Sequence, residues 1–374
     1  MPSPAPSPAR SSPAPPSLDA TTGVVALTAA LCDVPSVSHE EALLADAVEV
    51  LLRDLPHLTV TRLGDTLVAR TDLGRAERVV LAGHLDTVPP TDPPNLPTRR
   101  RTTEDGTEVL WGRGTVDMKG GVAVILRVAA TVPEPNRDLT LVLYAGEEVD
   151  SEFNGLRHVQ EQRPELIGDA DFAVLLEPTG AVVEGGCKGT LRVEVLTTGL
   201  AAHSGRPWLG RNAIHAAAPV LDRLAAYGSR TALVDGLEYR EGLSAVAITG
   251  GVAGNVVPDR CTVTVNYRYA PDRSEEEAVA HVRELFDGYE VVVRDNAGGA
   301  RPGLDLPAAR AFVDALGVGV VAKQGWTDVA RFSAMGVAAV NFGPGDPTLA
   351  HADDEQCPLD QLVGAEAALR RWLA

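Results

Sequence analysis

Apolar runs of strand length alternate along the chain with amphipathic stretches of helical spacing. One run covers residues 78–84, and similar runs cover 139–145, 172–176 and 337–342. Continuous apolar runs of this kind are typical of strands that are buried on both faces of a parallel sheet. Apolar residues at helical spacing cover 18–31, 40–52 and about 122–130. Strands that alternate with helices predict an α/β fold with a mainly parallel sheet.

The pattern of predicted strands and helices changes between residues 189 and 297. Strand-like segments at 191–196, 244–248 and 261–269 alternate there with helices that we predict for 212–227 and 274–286. We interpret this region as a separate α+β domain, inserted into a catalytic domain made of residues 18–188 and 298–374. Residues 1–17 are almost entirely proline, serine and alanine, which predicts a disordered tail.

Composition and charge indicate the cellular location of the protein and exclude some classes of binding partner. Formal net charge is −18, from 33 Lys plus Arg against 51 Asp plus Glu, which argues against nucleic acid and anionic membranes as partners. No apolar segment of signal-peptide type or of membrane-spanning length is found. The four cysteines, Cys32, Cys187, Cys261 and Cys357, are scattered and form no Cys-x-x-Cys pair. We therefore expect free thiols in a cytoplasmic protein. Three consecutive arginines at 99–101 are interpreted as a solvated turn.

Ionisable residues follow each of the four strongest apolar runs. In chain order these are His84 with Asp86, Glu147 with Glu148, Glu177, and, after a loop, His351. The binding crevice of a parallel α/β sheet lies beyond the carboxyl ends of its strands, so we expect these side chains to meet there. Asp117 joins them as a candidate ligand, from a glycine-rich turn that lacks the spacing of a phosphate-binding loop.

Two histidines and three carboxylates could hold two divalent ions. A mixed set of nitrogen and oxygen ligands suits zinc, with cobalt or manganese as substitutes. Two such ions can activate a water molecule and polarise a carbonyl group. The carboxylate of Asp86 could accept the second imidazole N–H of His84 and so orient the ring. Of the neighbours Glu147 and Glu148, one should ligate and the other should act as general base and then acid.

Five motifs together resemble the dizinc aminoacylase, acetylornithine deacetylase and carboxypeptidase-type amidohydrolases. They are His84-Leu-Asp-Thr-Val-Pro, Gly112-Arg-Gly-Thr-Val-Asp-Met-Lys-Gly, Gly146-Glu-Glu, Glu177-Pro-Thr, and His351 with the following Asp353-Asp-Glu. They occur in the order of that family and extend over nearly all of the chain after the tail. The resemblance implies a dizinc exopeptidase-like catalytic domain whose inserted domain serves as a lid and forms a homodimer.

The resemblance also implies a role for each site residue. Asp117 would bridge two zinc ions, with His84 and Glu177 on one ion and Glu148 and His351 on the other. Glu147 would be the general base and acid, Asp86 would support His84, and the peptide bond after Asp117 would be cis.

The inserted domain carries further motifs of the family. His203, in Ala202-His-Ser-Gly-Arg-Pro, resembles the histidine that reaches over the active site from the partner subunit and helps to bind the oxyanion. By the same resemblance, Asn255 and Arg268 would contact a substrate carboxylate, for which the guanidinium fork is well shaped. The other histidines match no motif, and we interpret them as structural or surface residues: His39, His57, His158, His215 and His281.

The substrate is predicted from three further segments. Cys187-Lys-Gly-Thr, Ala322-Lys-Gln-Gly-Trp-Thr-Asp-Val-Ala-Arg-Phe and Asn341-Phe-Gly-Pro-Gly-Asp resemble actinobacterial-type succinyl-diaminopimelate desuccinylases. This implies hydrolysis of N-succinyl-L,L-2,6-diaminopimelate to succinate and L,L-2,6-diaminopimelate, in lysine and cell-wall precursor synthesis. Lys188, Arg268 and Arg331 would suit a substrate rich in carboxylates, although each could equally form surface ion pairs.

Two alternatives stay open at this point. A Ser-Gly-Gly-Thr sequence of other desuccinylases is replaced here by Lys323-Gln-Gly-Trp, so an acetylornithine deacetylase or a dipeptidase or carboxypeptidase is the nearest competitor. A catalytically silent metal-binding scaffold is a competitor from another class. Glu147 argues against that scaffold, because a glutamate that does not ligate has little purpose there without proton transfer.

Overall fold

A computed structural model describes residues 15–374. The predicted tail therefore lies outside the described residues, apart from residues 15–17. The helices are α1 Val24–Cys32, α2 Ala42–Arg53, α3 Lys119–Thr131, α4 Gly155–Gln162, α5 Ala213–Ala216, α6 Ala218–Ala225, α7 Glu275–Leu285, α8 Pro307–Leu316, α9 Val329–Ala334 and α10 Leu359–Leu373. Short 3₁₀ turns lie at Ser151–Phe153, Pro164–Leu166, Pro207–Leu209 and Pro347–Leu349.

The strands cover both predicted regions of the chain. They are β1 Thr59–Leu63, β2 Thr66–Arg70, β3 Arg78–His84, β4 Arg99–Thr102, β5 Glu108–Trp111, β6 Asp138–Tyr144, β7 Phe172–Leu175, β8 Val183–Gly185, β9 Gly189–Thr198, β10 Ala202–His203, β11 Thr231–Val234, β12 Leu237–Arg240, β13 Gly242–Gly250, β14 Val256–Val257, β15 Arg260–Tyr269, β16 Glu290–Ala297, β17 Val320–Ala322, β18 Ala338–Asn341 and β19 Gln356–Pro358.

The chain divides into two compact units. Among the described residues, the first unit contains 15–75, 82–163 and 344–374, and the second contains 76–81 and 164–343. This division assigns 164–188 and 298–343 to the same unit as the predicted insert. The four-stranded antiparallel sheet of that unit begins at Gly189 and ends at Ala297. The finer borders of the catalytic and inserted domains stay a prediction.

The first unit is a sheet covered by helices. Its strands lie in the order β1-β2-β6-β3, of which β3 contributes residues 82–84. Every residue of β6 is buried, because this apolar strand has neighbours on both faces. Helix α3 contacts both α1 and α10 and buries residues around most of its circumference. A second, three-stranded sheet has the order β19-β5-β4. Strand β3 ends at His84, and strand β5 leads into the loop that carries Asp117.

The second unit contains two kinds of sheet. One run of strands has the order β7-β18-β8-β17, parallel at β7–β18 and β8–β17 and antiparallel at β18–β8. The other sheet is antiparallel, in the order β13-β15-β9-β16. In strands β9 and β15, buried positions alternate with positions that are mostly partly exposed, which is the pattern of a sheet with one face on a core. That core includes Val193, Val265, Val282 of α7 and Phe286, which directly follows α7. The predicted α/β class with an α+β region is confirmed.

Three local predictions were wrong at the level of single elements. The helix expected over 212–227 is two helices, α5 and α6, because Pro219 lies in the first turn of α6 and cannot donate an N–H to the preceding turn. The helix expected from Leu18 begins at Val24, after Gly23, whose φ of 91° is not helical. The arginines 99–101 form the edge strand β4 rather than a turn, and the guanidinium of Arg101 stacks 3.7 Å from the Trp111 ring centroid.

All four cysteines are free and buried. Cys32 and Cys357 belong to the first unit, and Cys187 and Cys261 belong to the second. Burial raises the pKa of the Cys187 thiol to about 11. Burial also raises the thiol pKa values of Cys32 and Cys357. Within the described residues, no helix combines the length and apolar character that crossing a bilayer requires.

Candidate metal centre

His84 is the last residue of β3 and is almost completely buried. Its Nδ1 lies 3.0 Å from the backbone carbonyl oxygen of Asp86 and 3.5 Å from that residue's Oδ1. The carbonyl is therefore the nearer acceptor for the second imidazole N–H, although we expected the carboxylate in that place. With Nδ1 protonated, Nε2 faces Oδ1 of Asp117 at 3.1 Å. The ring is thus fixed with its ligating nitrogen toward the cluster.

The carboxylate of Asp117 lies between two imidazoles. Its Oδ1 is 3.1 Å from Nε2 of His84, and its Oδ2 is 3.4 Å from Nε2 of His351. The peptide bond from Asp117 to Met118 is cis, as the resemblance implied. Two oxygens that face two different histidines are the arrangement needed for a carboxylate that bridges two cations.

Glu148 and His351 form the other side of the cluster. Oε1 of Glu148 lies 2.9 Å from Nε2 of His351. The imidazole of His351 is half exposed, and its backbone has a φ of 64°, which is unusual for a residue with a side chain. Ligand atoms of His84, Asp117 and Glu148 all lie within 4.8 Å of one another. Four of the five predicted ligands therefore come together within the first unit.

The charged groups in this cluster shift one another's pKa values. Hydrogen bonds to Asp117 and Glu148 raise the pKa of His351 to about 10. Burial opposes a charge on His84, but the carboxylates of Asp117 and Asp86 raise its pKa well above the usual range. Burial would likewise raise the pKa of Asp117, but hydrogen bonds with the two imidazoles lower it. The carboxylates therefore stabilise a positive charge that lies between them.

The Gly146-Glu147-Glu148 turn is held by buried carboxylates. Oδ1 and Oδ2 of Asp86 accept the backbone N–H groups of Glu147 and Glu148, each at 3.1 Å. Burial raises the pKa of Asp86, but hydrogen bonds and the charge of His84 lower it to about 2. A second buried carboxylate, Glu41, accepts the N–H of Gly146 at 3.1 Å. Gly146 has a φ of 70°, and a Cβ there would lie 2.5 Å from the carbonyl oxygen of Phe153, so a larger residue does not fit.

The remaining predicted site residues belong to the second unit. Glu177 is buried in the segment that follows β7. His203, in β10, is exposed and pairs with Val256 of β14, while its Nδ1 accepts the N–H of Gly205 at 2.9 Å. The N–H of Ser204 donates to the carbonyl oxygen of Asn255 at 2.8 Å. The predicted His203 and Asn255 therefore lie on neighbouring segments.

The predicted cationic residues differ in how they are engaged. Nζ of Lys188, which is buried, donates to the carbonyl of Arg240 at 2.7 Å, and burial together with the charge of Arg268 lowers its pKa. Nε of Arg268 donates to Oδ1 of Asn266 at 3.1 Å. Arg331 forms a 2.5 Å hydrogen bond with Oδ1 of Asp328. Lys188 and Arg268 are thus two neighbouring cations, whereas Arg331 has a carboxylate of its own.

Four buried ionisable residues near the cluster received no role from sequence. They are Glu41, Arg113, Lys119 and Glu355. Lys119 donates to the carbonyls of Leu31 and Val34 at 3.2 and 2.9 Å, and burial lowers its pKa. Arg113, Lys119 and Glu355 lie inside the quoted motifs, and this position was a sequence signal that they belong to the site. Their partners are far away in the sequence, and only the fold reveals them.

The donor set is suited to a divalent cation. Two imidazole nitrogens and the oxygens of two carboxylates converge, and such mixed ligands are typical of zinc and of its usual substitutes. Backbone and carboxylate groups orient these ligands, as is common around metal centres in proteins. The residues present therefore fit a divalent metal ion.

Comparison with known proteins agrees with this chemistry. A Mycobacterium tuberculosis protein, provisionally named succinyl-diaminopimelate desuccinylase DapE, is 53% identical over 359 residues, 95% of this chain and 99% of the relative. The succinyl-diaminopimelate desuccinylase of Corynebacterium glutamicum is 47% identical over 370 residues, 96% of this chain and 98% of the relative. The fold matches that of an M20 family metallo-carboxypeptidase from Sulfolobus solfataricus with a TM-score of 0.75, at 17% identity, over 93% of this chain and 98% of that one. The profile of Peptidase family M20/M25/M40 matches residues 80–374, and the chain belongs to this family.

Proposed function

We propose that the protein is a metal-dependent amidohydrolase that cleaves N-succinyl-L,L-2,6-diaminopimelate to succinate and L,L-2,6-diaminopimelate. Relatives named for this activity match the chain at 53% and 47% identity over almost its whole length. This agreement favours the desuccinylase over the acetylornithine deacetylase and the peptidases that the motifs left open.

One observation carries the proposed chemistry. His84, Asp117, Glu148 and His351 converge, and the residue next to Glu148 in the chain is a second glutamate on the same turn. A metal-binding scaffold would need the first four residues but would not need Glu147. The pairing of a ligand set with an adjacent carboxylate is what amide hydrolysis by general base and acid requires.

The ligand assignment we propose uses two zinc ions, for which cobalt or manganese could substitute. Asp117 would bridge them, His84 and Glu177 would hold one, and Glu148 and His351 would hold the other. The position of Asp117 between two imidazoles supports the bridge. When bound, such ions lower the pKa of a water molecule and polarise the scissile carbonyl.

The side chains of the protein then account for the proton transfers. Glu147 accepts a proton from the attacking water as the water oxygen bonds to the succinyl carbonyl carbon. The same carboxyl group returns the proton to the nitrogen as the carbon–nitrogen bond breaks, which releases succinate and the free amine. Asp86 keeps Glu147 in place through the backbone N–H. His203 would donate to the oxyanion, as donors of this kind do in acyl transfer.

The substrate carries several carboxylates, and the second unit offers cations to bind them. Lys188 is buried and Arg268 is half-buried, and the charge of Arg268 contributes to lowering the pKa of Lys188. Two neighbouring cations favour an anionic ligand, because a carboxylate relieves their mutual repulsion. Asn255 and Arg331 would complete the recognition of the substrate.

A homodimer through the inserted domain is part of the proposal. Strand β13 is an edge of its sheet, and residues 244–250 are all exposed. Among them Val246 and Ile248 are 60% and 51% exposed. An exposed apolar edge strand is an unusual feature of a monomer, because unpaired backbone groups there promote association. Pairing with the same edge of a second copy, about a two-fold axis, would cover it.

Turnover on a panel of substrates tests the proposal. We expect zinc-loaded protein to release free amine from N-succinyl-L,L-2,6-diaminopimelate much faster than from acetylornithine or a dipeptide. Faster hydrolysis of either competitor would replace the desuccinylase with the corresponding enzyme. Absence of turnover on all three, with metal bound, would favour the silent scaffold.

A further inference from the structure

A buried ion pair contacts the backbone of the turn that carries Asp117 and takes no part in the chemistry described above. Nη1 of Arg113 is 2.7 Å from Oε2 of Glu355, and the two side chains are 4% and 0% exposed. The two residues are distant in the sequence: Arg113 lies shortly before Asp117, and Glu355 lies shortly after His351. Each partner therefore lies on a loop that also carries a proposed metal ligand.

Glu355 binds the loop that carries Asp117. Its Oε1 accepts the backbone N–H of Val116 at 2.9 Å and that of Asp117 itself at 3.1 Å. The backbone carbonyl of Glu355 accepts the N–H of Gly112 at 2.9 Å. A single residue of the 351–355 loop thus fixes both ends of the turn that presents the bridging carboxylate.

Arg113, on the loop that carries Asp117, in turn binds the backbone of the loop that carries His351. Its guanidinium donates to the carbonyls of Ala352 and His351, at 3.4 and 3.5 Å, and to the carbonyl of Pro89 at 3.2 Å. Pro89 lies a few residues beyond Asp86, in the loop that follows β3. The guanidinium fork therefore joins its own loop, which carries Asp117, to the loop that carries His351 and to the loop that directly follows His84 at the end of β3.

We propose that Arg113 and Glu355 are positioning residues that set the spacing of these three ligands, an inference that rests on the proposed metal centre. Stability alone does not explain the pair, because burying two charges costs about as much as their attraction returns. Geometry does explain it, because the guanidinium and the carboxylate each have several directional hydrogen bonds to distribute among the loops. Groups that orient metal ligands in this way typically change metal affinity by about 10- to 100-fold when mutated.

The test is a titration of the metal-free full-length protein with Co²⁺, followed by the visible absorption of the bound ion. Glu355→Gln keeps the size of the side chain and removes its charge. We expect this variant to bind Co²⁺ on the order of 10- to 100-fold more weakly, with an altered absorption spectrum. The melting temperature of the metal-free protein is measured in parallel, to separate positioning from folding.

Glu366→Gln is the matched control. Glu366 also forms a largely buried ion pair in the first unit, with Nη2 of Arg127 at 3.0 Å, but this pair joins α10 to α3 and contacts no proposed ligand. We expect it to lower the melting temperature without changing Co²⁺ affinity. Arg113→Lys is the second test variant, because lysine keeps the charge and loses the fork; it should weaken Co²⁺ binding in the same direction.

The outcomes separate cleanly. Unchanged Co²⁺ affinity and spectrum in folded Glu355→Gln would overturn the positioning role. Failure of both Glu355→Gln and Arg113→Lys to fold, while Glu366→Gln folds, would assign the pair to folding and also overturn it. Absence of Co²⁺ binding by the unaltered protein would instead remove the proposed metal centre, and the positioning role with it.

Discussion

The backbone N–H of Glu147 donates a 3.1 Å hydrogen bond to Oδ1 of Asp86. The other oxygen of the same carboxylate accepts the N–H of Glu148, so one buried aspartate holds two consecutive glutamates. Because adjacent side chains leave the backbone in different directions, this anchor gives the two carboxylates different surroundings. Glu148 contacts His351 through Oε1 at 2.9 Å, and our proposal gives the neighbouring Glu147 the separate task of proton transfer.

Glu147→Gln should abolish turnover and leave metal binding intact. Glutamine keeps the shape of the side chain but cannot accept and return a proton, so we expect kcat to fall by roughly 100- to 10,000-fold. Metal content after dialysis and turnover of the desuccinylase substrate are the two measurements. Glu148→Gln is the matched control and should lose metal. Turnover that survives in Glu147→Gln would remove this residue from the mechanism.

His203→Ala should reduce kcat far more than it raises KM. The expected loss is about 100- to 1,000-fold, which is typical for removal of one oxyanion donor, because the contact forms in the transition state. Steady-state kinetics with the succinylated substrate measure both constants. His215→Ala, at another exposed histidine of the same unit, should leave both unchanged. An effect on KM alone would contradict the assigned role.

Val246→Glu should convert the proposed dimer into monomers. In a two-fold interface the substitution places two like charges near each other, which costs several kcal/mol. Molar mass by light scattering after size-exclusion chromatography is the measurement. Val363→Glu introduces the same charge at a 53% exposed position of α10 and should leave the mass unchanged. A protein that is monomeric before any substitution would rule out this interface.

Glu241 should make the second unit sensitive to acid. Its fully buried carboxylate accepts hydrogen bonds from Arg230 at 2.7 Å, Tyr267 at 2.9 Å and the N–H of Ala270 at 3.1 Å. Burial alone would raise the pKa of Glu241, but these partners lower it. A pKa that is lower in the folded state stabilises the protein above the unfolded value of about 4.3 and loses that contribution as the pH falls through the folded value.

Glu241→Gln should therefore destabilise the protein by about 1–3 kcal/mol at neutral pH, because buried donors lose their charged acceptor. The difference from the unaltered protein should shrink as the pH drops below about 4. Urea unfolding at a series of pH values measures it. A difference that stays constant down to pH 3 would mean that Glu241 does not carry this acid sensitivity.

The parts of the fold that could be predicted are those with a strong local signal. Strands β3 and β6 are buried on both faces, so their sequences are continuous apolar runs. Strand β4 could not be found in this way, because its arginines are kept on an edge strand by stacking on Trp111 and not by a hydrophobic pattern.

The same distinction applies to the site. His84 ends an apolar strand, and Asp86 and Glu148 each follow one, so position alone identified them as candidates. Arg113 and Glu355 give no such signal, because their significance lies in a contact between residues that are 242 positions apart. One sequence holds no information on such a pairing until the loops are folded.

The four buried thiols can serve as natural probes of the local unfolding of each unit. Cys32 and Cys357 lie in one unit and Cys187 and Cys261 lie in the other, and all four are free and shielded from water. An alkylating reagent therefore reaches each pair only when the surrounding unit opens. Mass spectrometry of the alkylated peptides over time would give the opening rate of each half separately, with no engineered label.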